Sequence, residues 1–424
     1  MITKKSKNLF HISKQIIPHG VNSPVRYFDP YPIFIKKSNR SYIWDEDDNK
    51  YIDFCNCYGA MLLGHKHNKI TLAVTNQIKN GTLFCAPTKL EITLSKLIQR
   101  NFPSMRKIRL VNTGTEAAMT AIRLVKGYTK KKKIIKFHGG YHGSYDAVLT
   151  GSGSGFVNIR SQHRGFDRSS DTIVIQYNNI DELENVVKKN DDIAGLIMEP
   201  VLANMGVILP QKNYLKKVRL LTRDHDIPLI FDEIVTGFRL SEGGAQKIFG
   251  ITPDITILGK ILGNGFVIGA IGGKNKILEH LSPVGKVYQA STFAGNPISV
   301  TAAIHSIQTI NELKNKLYDK LQNYCDKLTS AIDDIATDFK IPHVINHVAS
   351  MYQIFFTDIP VIDYTTCKTS NTTKFKKLFS SLLKNGIFIP PSQFESVFAS
   401  YAHTKNDINK TISAYYDALK CIEN

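Results

Sequence analysis

From about residue 107 to residue 273 the chain alternates short apolar runs with helix-length amphipathic stretches. A strand covered on both faces reads as a continuous apolar run, and the stretches between supply the cover, so the alternation predicts a mostly parallel sheet wrapped by helices. The expected strands are 108–111, 133–137, 172–176, 194–198, 229–231, 255–258 and 268–272. Ahead of them, 33–36, 42–44 and 51–53 read as strands paired around turn-forming Asp and Asn residues. Beyond Pro297 one long helical periodicity covers 298–337, strand-like runs follow at 351–356 and 387–389, and a last helix is expected over 406–421. The predicted class is therefore α/β, divided into an N-terminal segment 1–60, a large α/β domain 61–296 and a smaller α+β domain 297–424.

Length and composition narrow this. At 424 residues the chain exceeds the roughly 250 to 300 at which one core stops growing, which is room enough to bury a cofactor. Its longest apolar runs fall far short of the ~20 residues of a membrane helix, so no span is expected. The six cysteines are scattered, with one C-x-C and no C-x-x-C, and read as reduced thiols. Residues 1–20 are basic but lack a hydrophobic core or cleavage site of secretory type, and a cytoplasmic location is expected. The formal charge of +18 is mostly lysine spread along the whole chain; with no nucleic-acid signature beside it, it reads as a solvated surface.

Chemistry gathers where the predicted strands end, the place ligands occupy in such sheets. After 108–111 come Asn112, Thr113, Gly114, Thr115 and Glu116 at the start of a helix, where free N–H groups, a glycine and a hydroxyl make a phosphate cradle; the same residues also suit a plain helix cap. After 229–231 comes Asp232, costly to bury unless it meets a cation or a protonated ring, a pyridinium nitrogen being one such partner and a salt bridge another. After 255–258 comes Lys260, whose amine loses its proton more easily when shielded from water, as a Schiff-base nucleophile requires. The glycine-rich turn after 133–137 offers Tyr141 as a ring to stack on a pyridine face, while His142 finds no partners at metal-ligand spacing, so no metal is expected. Residues 289–297 add a further hydroxyl and glycine turn.

Cradle, carboxylate and lysine, in this order, resemble the class III aminotransferases of fold type I, over nearly the whole chain. The stretches His19 to Arg26, Glu199-Pro200-Val201 with Asn204-Met205-Gly206, and Pro390 to Glu395 are similar to the branch of that family that moves an amino group within glutamate 1-semialdehyde, giving 5-aminolevulinate for tetrapyrrole synthesis. The resemblance implies pyridoxal 5'-phosphate, with its pyridoxamine form in the cycle. Lys260 would hold the aldehyde and shuttle the proton, Asp232 would pair with the ring nitrogen, Tyr141 would stack, Asn204 would lie beside the ring hydroxyl, and Gly114 and Thr115 would hold the phosphate. It further implies a homodimer with composite sites, Thr292 reaching the partner's phosphate. Ser23 and Arg26 would hold the substrate carboxylate, with Ser154 and Glu395 lining the pocket, and 151–170 is expected to act as a lid. Three positions depart from the usual pattern: Tyr58 stands for a tryptophan, Asn264 for the middle of three glycines, and Ser291 for a glycine. The alternative is an ordinary class III transaminase working between an amino acid or amine and a separate oxo acid, which would share every cofactor residue.

Overall fold

The computed structural model describes residues 3–153 and 171–423. Its strands are β1 (Ile35–Asn39), β2 (Tyr42–Asp45), β3 (Lys50–Asp53), β4 (Lys107–Val111), β5 (Lys133–Phe137), β6 (Thr172–Ile175), β7 (Ile193–Met198), β8 (Leu229–Asp232), β9 (Ile255–Leu258), β10 (Gly269–Gly273), β11 (Val344–Val348), β12 (Met351–Phe355), β13 (Ile387–Phe388) and β14 (Val397–Phe398). The central sheet has the order β4-β10-β9-β8-β7-β5-β6. From β6 to β9 neighbours run parallel; β10 runs antiparallel to both β9 and β4. Every residue of β7, β8 and β9 is buried, which is why they read as uninterrupted apolar runs.

The helix Gly114–Thr129 lies on this sheet with Ala117, Ala118 and Ala121 turned inward, small side chains that let it pack closely against Ile230, Ile257 and Ile271. Thr113 caps it, accepting from the Glu116 N–H at 3.1 Å. Among the N-terminal strands, β3 pairs in parallel with β13, which ties residues 35–53 to the C-terminal part of the chain. A third sheet, β11-β12-β14, completes that part.

The single long helix expected over 298–337 is two helices, Pro297–Leu313 and Asn315–Asp338, broken at Lys314 (φ 46°, ψ −130°). Ile310, Leu313, Leu317 and Leu321 keep helical spacing across the break, so periodicity does not register it. Both helices bury apolar faces in one core cluster with Ile70, Leu94, Ile261, Phe375 and Leu419. No helix among the described residues is long and apolar enough to cross a membrane.

Candidate active site

The carboxyl ends of β4, β5, β7, β8 and β9 converge on one cleft of about 420 Å3. Ser23, Gly114, Thr115, Tyr141, Asn204, Asp232, Lys260 and Glu395 all line it. Arg26 does not: it is exposed and borders an adjoining cavity on the other side of Tyr58. Thr292 is exposed and away from its own chain's cleft. Ser154, and nearly all of the expected lid at 151–170, lie outside the described residues.

β8 carries Asp232 to the cleft floor, where the side chain is buried. One oxygen accepts the Ile234 N–H at 3.1 Å, and the other lies 2.7 Å from Nδ1 of His142, a ring with no exposed surface. His142, passed over in the sequence as a lone histidine, thus backs the carboxylate from behind. Its neighbour Tyr141 is fixed through its backbone N–H, which donates to Oε1 of Glu199 at 2.9 Å. Glu199 follows β7 as Asp232 follows β8, and its two oxygens also take the Ala203 N–H at 2.9 Å and the Asn204 amide at 3.0 Å. Burial pushes the Glu199 carboxyl up, and the nearby Asp232 adds to this, while its donors oppose it. Glu199 was not among the expected site residues, although the strand-end rule that singled out Asp232 applies equally to it.

Lys260 stands two residues past the end of β9, after Gly259, in the left-handed region (φ 45°). Desolvation holds its amine below the ordinary lysine range, with Glu395, Glu199 and Asp232 pulling the other way and the buried Arg239 reinforcing it. An amine in this state deprotonates at lower cost, as a nucleophile must. Opposite, the first turn of Gly114–Thr129 leaves N–H groups without intrahelical acceptors at the cleft edge. A Cβ on Gly114 would sit 2.5 Å from Cδ1 of Ile234, so a side chain there would displace the end of the Ile234 side chain.

The three unusual positions each have a structural role. The Tyr58 hydroxyl donates to the Val25 carbonyl, tying the 22–26 segment to the cleft wall. Asn264 takes a left-handed turn (φ 41°) that asparagine tolerates, and its side chain accepts the Leu63 N–H at 3.1 Å. Ser291 accepts the Asn112 amide at 2.6 Å.

This geometry meets its counterparts in known proteins. The model of the aminotransferase class-III family matches residues 25–419. The chain belongs to that family. Among curated class III relatives, a glutamate-1-semialdehyde 2,1-aminomutase of Nitrosopumilus maritimus is 60% identical over 99% of this chain and 100% of the relative. One from Methanocaldococcus jannaschii is 45% identical over 99% of each chain. Among solved structures, an omega-transaminase from Sphaerobacter thermophilus superposes with a TM-score of 0.91 at 27% identity, covering 99% of this chain and 98% of that one. A transaminase solved with PLP bound gives 0.91 at 26% identity, covering 100% and 98%.

Proposed function

We infer that this chain is a glutamate-1-semialdehyde 2,1-aminomutase: it moves an amino group between adjacent carbons of glutamate 1-semialdehyde, giving 5-aminolevulinate for tetrapyrrole synthesis. The observation that carries the substrate is the 60% identity to the Nitrosopumilus maritimus aminomutase over essentially all of both chains. The cleft supports the chemistry. Its volume of about 420 Å3 is in the range of cofactor sites, its floor holds a buried carboxylate with no lysine or arginine paired to it among the described residues, and its rim is a helix start where a Cβ on Gly114 would press on Ile234. Pyridoxal 5'-phosphate fits that donor set.

When bound, the cofactor supplies an aldehyde for a primary amine and a ring that draws electrons from the carbon bearing that amine. In our reading Asp232, backed by His142, holds positive charge at the ring nitrogen, while the Gly114 and Thr115 N–H groups hold the phosphate and Asn204 lies beside the ring hydroxyl. Tyr141 covers one face. Lys260 Nζ would be the group that holds the aldehyde, and it is placed to move the proton between the reacting carbons. Ser23, Ser154 and Glu395 orient the substrate, and Arg26, which borders the cavity beyond Tyr58, would have to turn into the cleft to take its carboxylate.

We place the enzyme in the cytoplasm, which its six unpaired cysteines support, and read it as a homodimer. Thr292 lies in sequence between Tyr288 and Phe293, whose side chains are exposed, a stretch suited to a second copy whose phosphate site Thr292 would complete. The deciding assay supplies glutamate 1-semialdehyde with no amino donor or oxo acid. Formation of 5-aminolevulinate is expected, and a strict need for a second substrate would mark an ordinary transaminase instead.

A further inference from the structure

Lys136, on β5, is completely buried, and no carboxylate pairs with it among the described residues. Its Nζ donates instead to the carbonyls of Gly140 (3.0 Å), Val148 (2.6 Å) and Thr150 (2.9 Å) and to the hydroxyl of Ser152 (3.2 Å). Ser152 in turn donates to the Val148 carbonyl at 2.8 Å. A ring of carbonyl oxygens around a bare cation is the arrangement by which proteins replace the water shell of a monovalent ion, and here the cation is attached to the chain. Burial pulls the amine down to about 7 against the nearby charge of Glu199; the ring of acceptors favours the protonated form, because a neutral amine would set its lone pair against an oxygen.

All four acceptors belong to the loop that follows β5, and that loop forms one wall of the cleft. Between the first acceptor and the last it carries Tyr141, His142 and Ser144, which meet Glu199, Asp232 and Thr115 respectively. The cation therefore sits behind the ring-stacking tyrosine and the histidine that backs the ring-nitrogen carboxylate. We propose that Lys136 is a positioning residue for amino transfer, an internal cation that folds residues 139–152 into the cofactor wall and sets Tyr141 and, through His142, Asp232. This rests on the cofactor assignment above but not on the identity of the substrate.

The test uses full-length holoenzyme carrying Lys136→Ala, which empties the ring, or Lys136→Met, which fills the space without charge. Visible absorption and cofactor dissociation are followed in potassium chloride and in tetramethylammonium chloride at equal ionic strength. Potassium suits a carbonyl ring and does not react with the aldehyde, whereas tetramethylammonium is too large to enter. Both variants should release cofactor at least about tenfold more readily, the size of effect lost supporting contacts have, with a shifted absorption band. Potassium should restore Lys136→Ala in part and leave Lys136→Met unchanged. Folded variants with wild-type affinity and absorption would overturn the proposal, as would full repair by methionine, which would make the role one of volume. If Lys136→Ala does not fold, its refolding yield is compared in the two salts: a higher yield in potassium supports the internal cation, and equal yields reject it. A wild type that binds cofactor but makes no 5-aminolevulinate would count against the substrate and leave this result standing.

Discussion

Lys260 and Asp232 make opposite demands on one cleft: the amine must shed charge, and the carboxylate must keep it. The structure separates them by support, since Asp232 is held by His142 and the Ile234 N–H while Lys260 is desolvated. Lys260→Ala should therefore keep its fold and hold cofactor through Asp232 and the cradle, yet lose multiple turnover; borohydride reduction of the wild type followed by peptide mapping should place the pyridoxyl label on Lys260. Asp232→Asn should lower kcat by far more than it lowers the melting temperature, because an amide cannot keep a ring nitrogen protonated. Arg26→Ala should cost roughly 30-fold in kcat/KM, by the ~1.4 kcal/mol per decade rule applied to a lost charge-assisted pair, with cofactor affinity unchanged. Because Arg26 borders the cavity beyond Tyr58, unaltered efficiency would assign carboxylate binding to Ser23 alone. The groups legible in the sequence were those that end a strand. His142 was not, because its partner lies 90 positions away and no local spacing links the two.

Close approach between elements makes the cleft sensitive to single methyl groups. Gly143 has φ +95°, and a Cβ there would lie 2.7 Å from the Thr115 backbone and 2.5 Å from its hydroxyl. Gly143→Ala should push the loop off the helix start, combining about 1 to 3 kcal/mol of backbone strain with a displaced cradle. Cofactor binding should weaken by at least about tenfold, read by titrating apoenzyme at the visible band; unchanged affinity would mean that the loop yields without disturbing Thr115. The central strands were legible because burial on both faces leaves an apolar run that nothing else of that length explains. Two-residue β14 was not, since so short a piece owes its conformation to pairing with β12. Nor was the attachment of β3 to β13, a parallel pairing across most of the chain that local pattern does not encode.

Over the whole molecule, acid stability should turn on His403, which is buried against Phe54 with its Nδ1 bound to Ser400. Burial lowers its pKa from 6.5 to about 4, so between those values the unfolded chain takes the proton and the native state does not. Stability from this source is intact above pH 6.5 and falls by roughly 3 kcal/mol as the pH drops toward 4. Urea titrations at pH 7 and pH 4.5 should show a smaller fall in His403→Gln than in the wild type; equal falls would place the acid sensitivity elsewhere. The proposed completion of a partner's phosphate site by Thr292 predicts complementation: inactive Lys260→Ala mixed with a damaging Thr292→Arg variant should regain activity, because each mixed pair would contain one intact site. The sheet order has a consequence for synthesis on the ribosome. β4, which leads into the phosphate cradle, sits at the sheet edge and, among the described residues, pairs only with β10. The cradle must therefore wait for residue 273, and the floor of the first sheet for β13, before either has its neighbour. A nascent chain arrested before β10 should fail to retain pyridoxal phosphate, so that capture of the cofactor marks translation past residue 273 of the 424.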